Sequence, residues 1–177
     1  MITAQQKRKE NIIEYLIYMW QVEDLIRACR LSPEEIEMRI ISQYEQPEEI
    51  KRDIRIWYEE LVDMMRSEGV TEHGHIQLNK NIIVELTDLH LQLLKNPQET
   101  VYASLYYKTL PAIVQLRTKS GGKELPEIET CITAIYGYLL LKMQGKEISK
   151  ETADSIKRIS SLLSFLAARF HEEETPN

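Results

Sequence analysis

No stretch of this sequence approaches the ~18 consecutive apolar residues that a membrane-crossing helix requires, so no membrane span is expected. Nor do the opening residues supply a signal peptide, because the apolar stretch after Lys9 is broken by Glu10, Asn11 and Glu14. Cysteine is scarce: Cys29 and Cys131 form no CxxC and no metal-ligand spacing. Two isolated thiols of this kind are expected to be reduced and packed, which points to a cytoplasmic protein. A basic excess is missing as well, with 22 Lys and Arg against 28 Asp and Glu and a net charge of −6. Counterion release on nucleic acid needs a basic footprint, and the one basic cluster, Lys7-Arg8-Lys9, reads as the solvated first turns of a helix. Nucleic acid is therefore not an expected partner. The sequence also lacks a Gly-rich phosphate loop, a G-x-S-x-G elbow and a catalytic Cys–His arrangement, and no cofactor is expected.

What is present is a globular composition, 43% hydrophobic and 28% charged over 177 residues, enough for one domain with a proper core. Apolar spacing supports about seven helices and no strands. The first covers about Thr3 to Arg30. "LSPEE" then restarts the chain, with Ser32 as N-cap, Pro33 in the first helical position and Glu35 completing a capping box. Further helices run from Pro47 to Gly69, from Ile76 to Lys95, and from Pro97 to Arg117, where "NPQE" repeats the start signal and Pro111 imposes a kink. "TKSGGKELP" is a loop, and the last two helices run from Pro126 to Gln144 and from Ser149 to Phe170. Short connections favour antiparallel neighbours. The expectation is an all-α, up-and-down helical bundle of six or seven helices, a single domain over residues 1–170 with a flexible acidic tail over 171–177.

Several constellations bear on function. Glu23 and Arg27, at i, i+4 with the acid first, fall on the apolar face of the first helix near Trp20, Met19 and Tyr15. They read as a structural ion pair, since an unpaired buried charge costs several kcal/mol. If a ligand pocket exists, Glu23, Arg27, Trp20 and Tyr15 are its candidate lining. His73 and His75, beside Glu72 in a loop, are weak metal candidates, because a third ligand is not evident and the HExxH and ExxH patterns are absent. Arg66, followed by His73 after six residues, resembles the R-x4-6-H spacing of the helical HEPN ribonucleases, whose basic pair activates an RNA 2′-hydroxyl. That gives an enzymatic alternative, a ribonuclease or metal-dependent hydrolase on Arg66, His73 and His75. His90 reads as a neutral, hydrogen-bonded core histidine, and Tyr102 and Tyr106 as inward-facing with hydroxyls at the rim.

One feature suggests association. Ile128, Ile132, Ile135, Leu139 and Met143 form a core stripe on the sixth expected helix, while Ala134, Gly137, Leu140 and Leu141 form a second apolar face. Gly137 costs its helix about 1 kcal/mol relative to alanine, which implies a close backbone approach by something. Phe165 projects away from its own helix's core stripe. A homodimer through these residues is the expectation, and the preferred function is a non-enzymatic helical binding protein whose protein or small-ligand partner is not identified.

The opening "AQQKRKENIIEYLIYMWQVEDLIRA", Ala4 to Ala28, resembles the N-terminal signature of a family of uncharacterised helical proteins of about this length found in Bacteroidetes, known as a domain of unknown function. The resemblance implies a bacterial cytoplasmic protein. It transfers no activity, cofactor or catalytic residue.

Overall fold

A computed structural model of the protein describes residues 2–119 and 125–174. Those residues contain eight α-helices, one 3₁₀ turn and no strand: α1 (Ile2–Glu10), α2 (Ile12–Ala28), α3 (Pro33–Arg39), the 3₁₀ turn (Ile41–Gln43), α4 (Glu48–Ser67), α5 (Gln77–Lys95), α6 (Thr100–Lys119), α7 (Glu127–Met143) and α8 (Lys150–Glu174). The all-α class is as expected, with one more helix than the sequence suggests. The addition arises in the first element. The Asn11 side-chain oxygen accepts the Ile13 N–H at 3.0 Å, a local bond that competes with the helical ladder, and the chain leaves the helix at that residue.

The start signals act unequally. Ser32 Oγ accepts the Glu35 N–H at 3.2 Å and Pro33 opens α3. The capping box stays half made, since the Glu35 carboxylate goes to Arg39 at 2.6 Å and the Ser32 N–H to the Cys29 carbonyl at 3.0 Å. "NPQE" does not begin a helix at Pro97. Asn96 Oδ1 takes the Gln98 N–H at 3.0 Å in a turn, and α6 starts only at Thr100. The reason is tertiary: Glu99 accepts two 3.0 Å bonds from the Arg169 guanidinium of α8. The central loop residues 120–124 and residues 175–177 of the expected tail lie outside the described residues. The first part of that tail is helical, since α8 passes through His171 to Glu174, where Arg169 and Glu172 pair at 2.8 Å.

The chain divides into two compact units. One comprises Met1–Glu10 and Glu14–Asn81, the other Asn11–Ile13 and Ile82–Asn177. In the first, α3 packs on α4 and the 3₁₀ turn, and Leu16, Ile26, Ile36, Ile41, Met65 and Ile76 are core residues. In the second, α6, α7 and α8 pack on one another pairwise around Tyr102, Ile113, Cys131, Ile159, Leu162 and Leu166. Pro111 sits on the exposed side of an unbroken α6, with Thr109 and Ile113 buried opposite, so the missing N–H falls on the solvent side. No helix among the described residues is long and apolar enough to cross a membrane.

Candidate functional site

In the first unit, α2 carries Trp20, Glu23 and Arg27 toward the segment that leads into α5. Glu23 is fully buried at 0% exposure, and its carboxylate is saturated. One oxygen accepts the Ile76 N–H at 3.1 Å and the Asn79 amide at 2.8 Å, and the other lies 2.5 Å from His75 Nδ1. Ile76 directly precedes α5, whose first N–H groups have no intrahelical acceptor and whose dipole favours a negative charge. Glu23 thus caps α5 from another helix. The His75 ring stacks on Trp20 with centroids 4.0 Å apart and planes 10° from parallel.

Arg27 serves the same segment from its other side. It donates to the Val70 carbonyl at 3.1 Å and to the Gly74 carbonyl, and pairs with Asp24 at 2.8 Å. The expected Glu23–Arg27 ion pair is therefore corrected. Each group is engaged elsewhere, because a buried carboxylate gains most from fixed donors at a helix start, while a guanidinium fork matches successive loop carbonyls. Of the other pocket candidates, Trp20 is 2% and Tyr15 5% exposed. Burial raises the Tyr15 hydroxyl above its ordinary pKa, outweighing the opposite pull of Arg8 and helped by the Glu23 charge. Sequence reasoning missed His75 and Asn79 as the partners of Glu23. Asn79, a polar residue at i, i+3 from Ile76 on the apolar face of α5, was the available signal.

The other candidates from the sequence are dispersed in role. Arg66 donates to the Leu31 carbonyl at 2.9 Å, His73 is exposed, and His75 faces Trp20 and Glu23. Among the described residues, no group of three or more His, Cys, Asp or Glu side chains could hold a metal ion.

The second unit contains its own polar cluster. His90 Nδ1 lies 2.6 Å from the Tyr102 hydroxyl, and Nε2 lies 3.6 Å from Glu127, which also faces Arg117 at 3.5 Å. Burial lowers the His90 pKa and outweighs the opposing pull of Glu127. The imidazole is therefore neutral, with Nδ1 accepting from Tyr102 and the proton on Nε2 facing the carboxylate. Burial also raises the Tyr102 hydroxyl, and pushes Tyr106 and the Cys131 thiol up to about 12. A thiol so shifted is a packing group and not a nucleophile.

On α7 the first turns are buried at Ile128, Cys131 and Ile132. The following seven residues, Ala134 to Leu140, are all partly exposed, whichever way they point. Leu141 is 36% and Met143 71% exposed. Apart from its chain neighbours Tyr136 and Tyr138 and the helix's own backbone, nothing described lies within 4 Å of where a Cβ on Gly137 would sit. The close approach implied by this glycine is not made by any described part of the chain. Phe165 is placed differently, half-buried against Tyr102 at 5.6 Å between centroids and covered by Arg169 at 5.4 Å, so its side of α8 faces α6.

A family model described as a domain of unknown function, DUF4924, matches residues 1–177. The chain belongs to that family. No curated protein and no solved structure matches it. Membership extends the likeness of the opening helix over the whole DUF4924 chain. In this member polar clusters form at Glu23 and at His90, and the C-terminal half of α7 is partly exposed.

Proposed function

We propose that this DUF4924 protein is a non-enzymatic helical interaction protein of the bacterial cytoplasm that works as a homodimer, joined through Ala134, Gly137, Leu140 and Leu141 of α7. The observation that carries the reading is the C-terminal half of α7, apolar yet partly exposed on every side, with open space at Gly137. A helix that is apolar all round is normally buried, and here a second copy supplies the missing cover. Two further features support the proposal. The buried Glu23 carboxylate with His75, and His90 with Tyr102, are engaged in contacts within the fold, and the free thiols of Cys29 and Cys131 are buried, which suits a reducing compartment. A net charge of −6 favours protein or small-molecule partners over nucleic acid.

The test is mass in solution by light scattering over a concentration series. Wild type is expected to be a dimer and Leu141→Glu a folded monomer with unchanged helical circular dichroism. A wild-type monomer at all concentrations overturns the proposal, as does a dimer indifferent to Leu141→Glu.

A further inference from the structure

We infer that a cavity in the first unit, built by α1, the link after the 3₁₀ turn and the first half of α4, is a binding site for a small primary amine with an apolar body. The inference goes beyond the homodimer reading and does not depend on it, since every residue it uses lies outside the unit that contains α7.

The cavity has a volume of about 380 Å³, within the range of small-ligand sites. Three segments distant in sequence converge on it. From α1 come Thr3 and Gln5, on either side of the buried Ala4. Tyr44 and Gln46 come from the link between the 3₁₀ turn and α4. Tyr44 leaves that turn extended, at φ −76° and ψ 122°, with its N–H on the Ile41 carbonyl at 3.1 Å. Pro47 disfavours the helical region at Gln46, so the link runs past the cavity before α4 begins. The helix then supplies Ile50, Asp53 and Ile54, which share one face at i, i+3 and i+4.

The lining selects the ligand. Asp53 is its one charged side chain. It is exposed and has no ion pair among the described residues. The nearest basic groups on α4 are turned to other partners, Arg55 forking onto Glu37 at 2.7 and 2.9 Å and Lys51 lying 3.8 Å from Glu48. A carboxylate with no cation beside it disfavours an anionic ligand and favours an ammonium. A primary ammonium brings three N–H donors, and the amide oxygens of Gln5 and Gln46 and the Thr3 hydroxyl line the same cavity as further acceptors. A quaternary ammonium would leave those acceptors unused. Ile50, Ile54 and Tyr44 supply the apolar part of the wall, which a hydrated metal ion would leave unused. The Tyr44 side chain is held in advance, because Tyr58, 2% exposed, hydrogen-bonds to it through its hydroxyl. A wall fixed before the ligand arrives lowers the ordering cost of binding.

The experiment is a titration of the isotope-labelled full chain with phenethylamine, followed by backbone amide NMR shifts. Saturable shifts confined to α1, the 44–46 link and the first half of α4 are expected, with a Kd of about 1 mM or tighter. 2-Phenylethanol, which replaces the ammonium by a hydroxyl, should bind at least about fivefold more weakly, and 3-phenylpropionate should not bind. Asp53→Asn changes an exposed residue and should keep the helical circular dichroism while weakening phenethylamine about fivefold. Asp63→Asn, further along the same helix with its side chain 80% exposed, should leave the affinity unchanged. Lack of saturation by about 10 mM amine, equal binding of the alcohol, or an affinity indifferent to Asp53→Asn overturns the site. A chain that is monomeric in light scattering yet binds the amine as described removes the dimer and leaves the site standing.

Discussion

Glu23 shows how one side chain is decided by its surroundings. A carboxylate at 0% exposure is tolerable only with its lone pairs filled, and Ile76, Asn79 and His75 fill them. Glu23→Gln puts an amide donor among donors, and the expected loss is about 2–4 kcal/mol in urea unfolding. Asp24→Ala, one residue along but half exposed in its pair with Arg27, should change stability by less than about 1 kcal/mol. Equal losses would mean that Glu23 is not the clamp described. His90 carries the pH dependence. Its imidazole resists protonation in the fold through burial, against the pull of Glu127, while the unfolded chain takes up the proton near pH ~6.5. Proton uptake by the unfolded state lowers stability as pH falls, so His90 contributes no penalty at neutral pH and a growing one below about pH 6.5. Unfolding free energies measured down this range should decline in wild type and decline less steeply in His90→Gln. Parallel profiles would reject the assignment.

At the scale of elements, helix ends hold the most sequence information and the most surprises. α4 and α7 both stop in glycines with positive φ, Gly69 and Gly145, where the next N–H reaches back to Met65 and Leu141, an ending that the sequence announces. α2 stops the same way, with the Leu31 N–H on the Ile26 carbonyl at 3.0 Å, yet the left-handed position is held by Arg30 at φ 56°, followed by Leu31 at φ 55°. A side chain in that region costs about 1–2 kcal/mol. Arg30→Gly removes the strain at an exposed residue, and thermal or urea unfolding should show a gain of about 1 kcal/mol. A loss of similar size would show that the Arg30 side chain contributes more than its backbone costs.

For the whole molecule the question is what covers α7. Leu141 is already 36% exposed, so Leu141→Glu disturbs little within one copy, and the monomer's unfolding free energy should stay within about 0.5 kcal/mol of wild type at low concentration. In the proposed dimer its effect is concentrated on association, where it would place a charge against an apolar face in each copy. Such a result separates an interface residue from a core residue, because a core Leu→Glu unfolds the protein outright.

The helical class, the approximate extents of the helices, the Ser32, Gly69 and Gly145 end signals and the second face of α7 were all legible in the sequence. Each follows from local stereochemistry or from the 3.6-residue period, which one chain segment carries within itself. A neutral, hydrogen-bonded His90 was legible too, as the usual fate of an imidazole on an apolar face. The break at Asn11, the delayed start of α6 and the separation of Glu23 from Arg27 were not. Glu99 is drawn to Arg169, 70 residues on, and Glu23 to His75, Ile76 and Asn79, more than 50 residues on. Competition among such distant donors depends on which helix ends arrive beside one another, and only the folded chain brings them together.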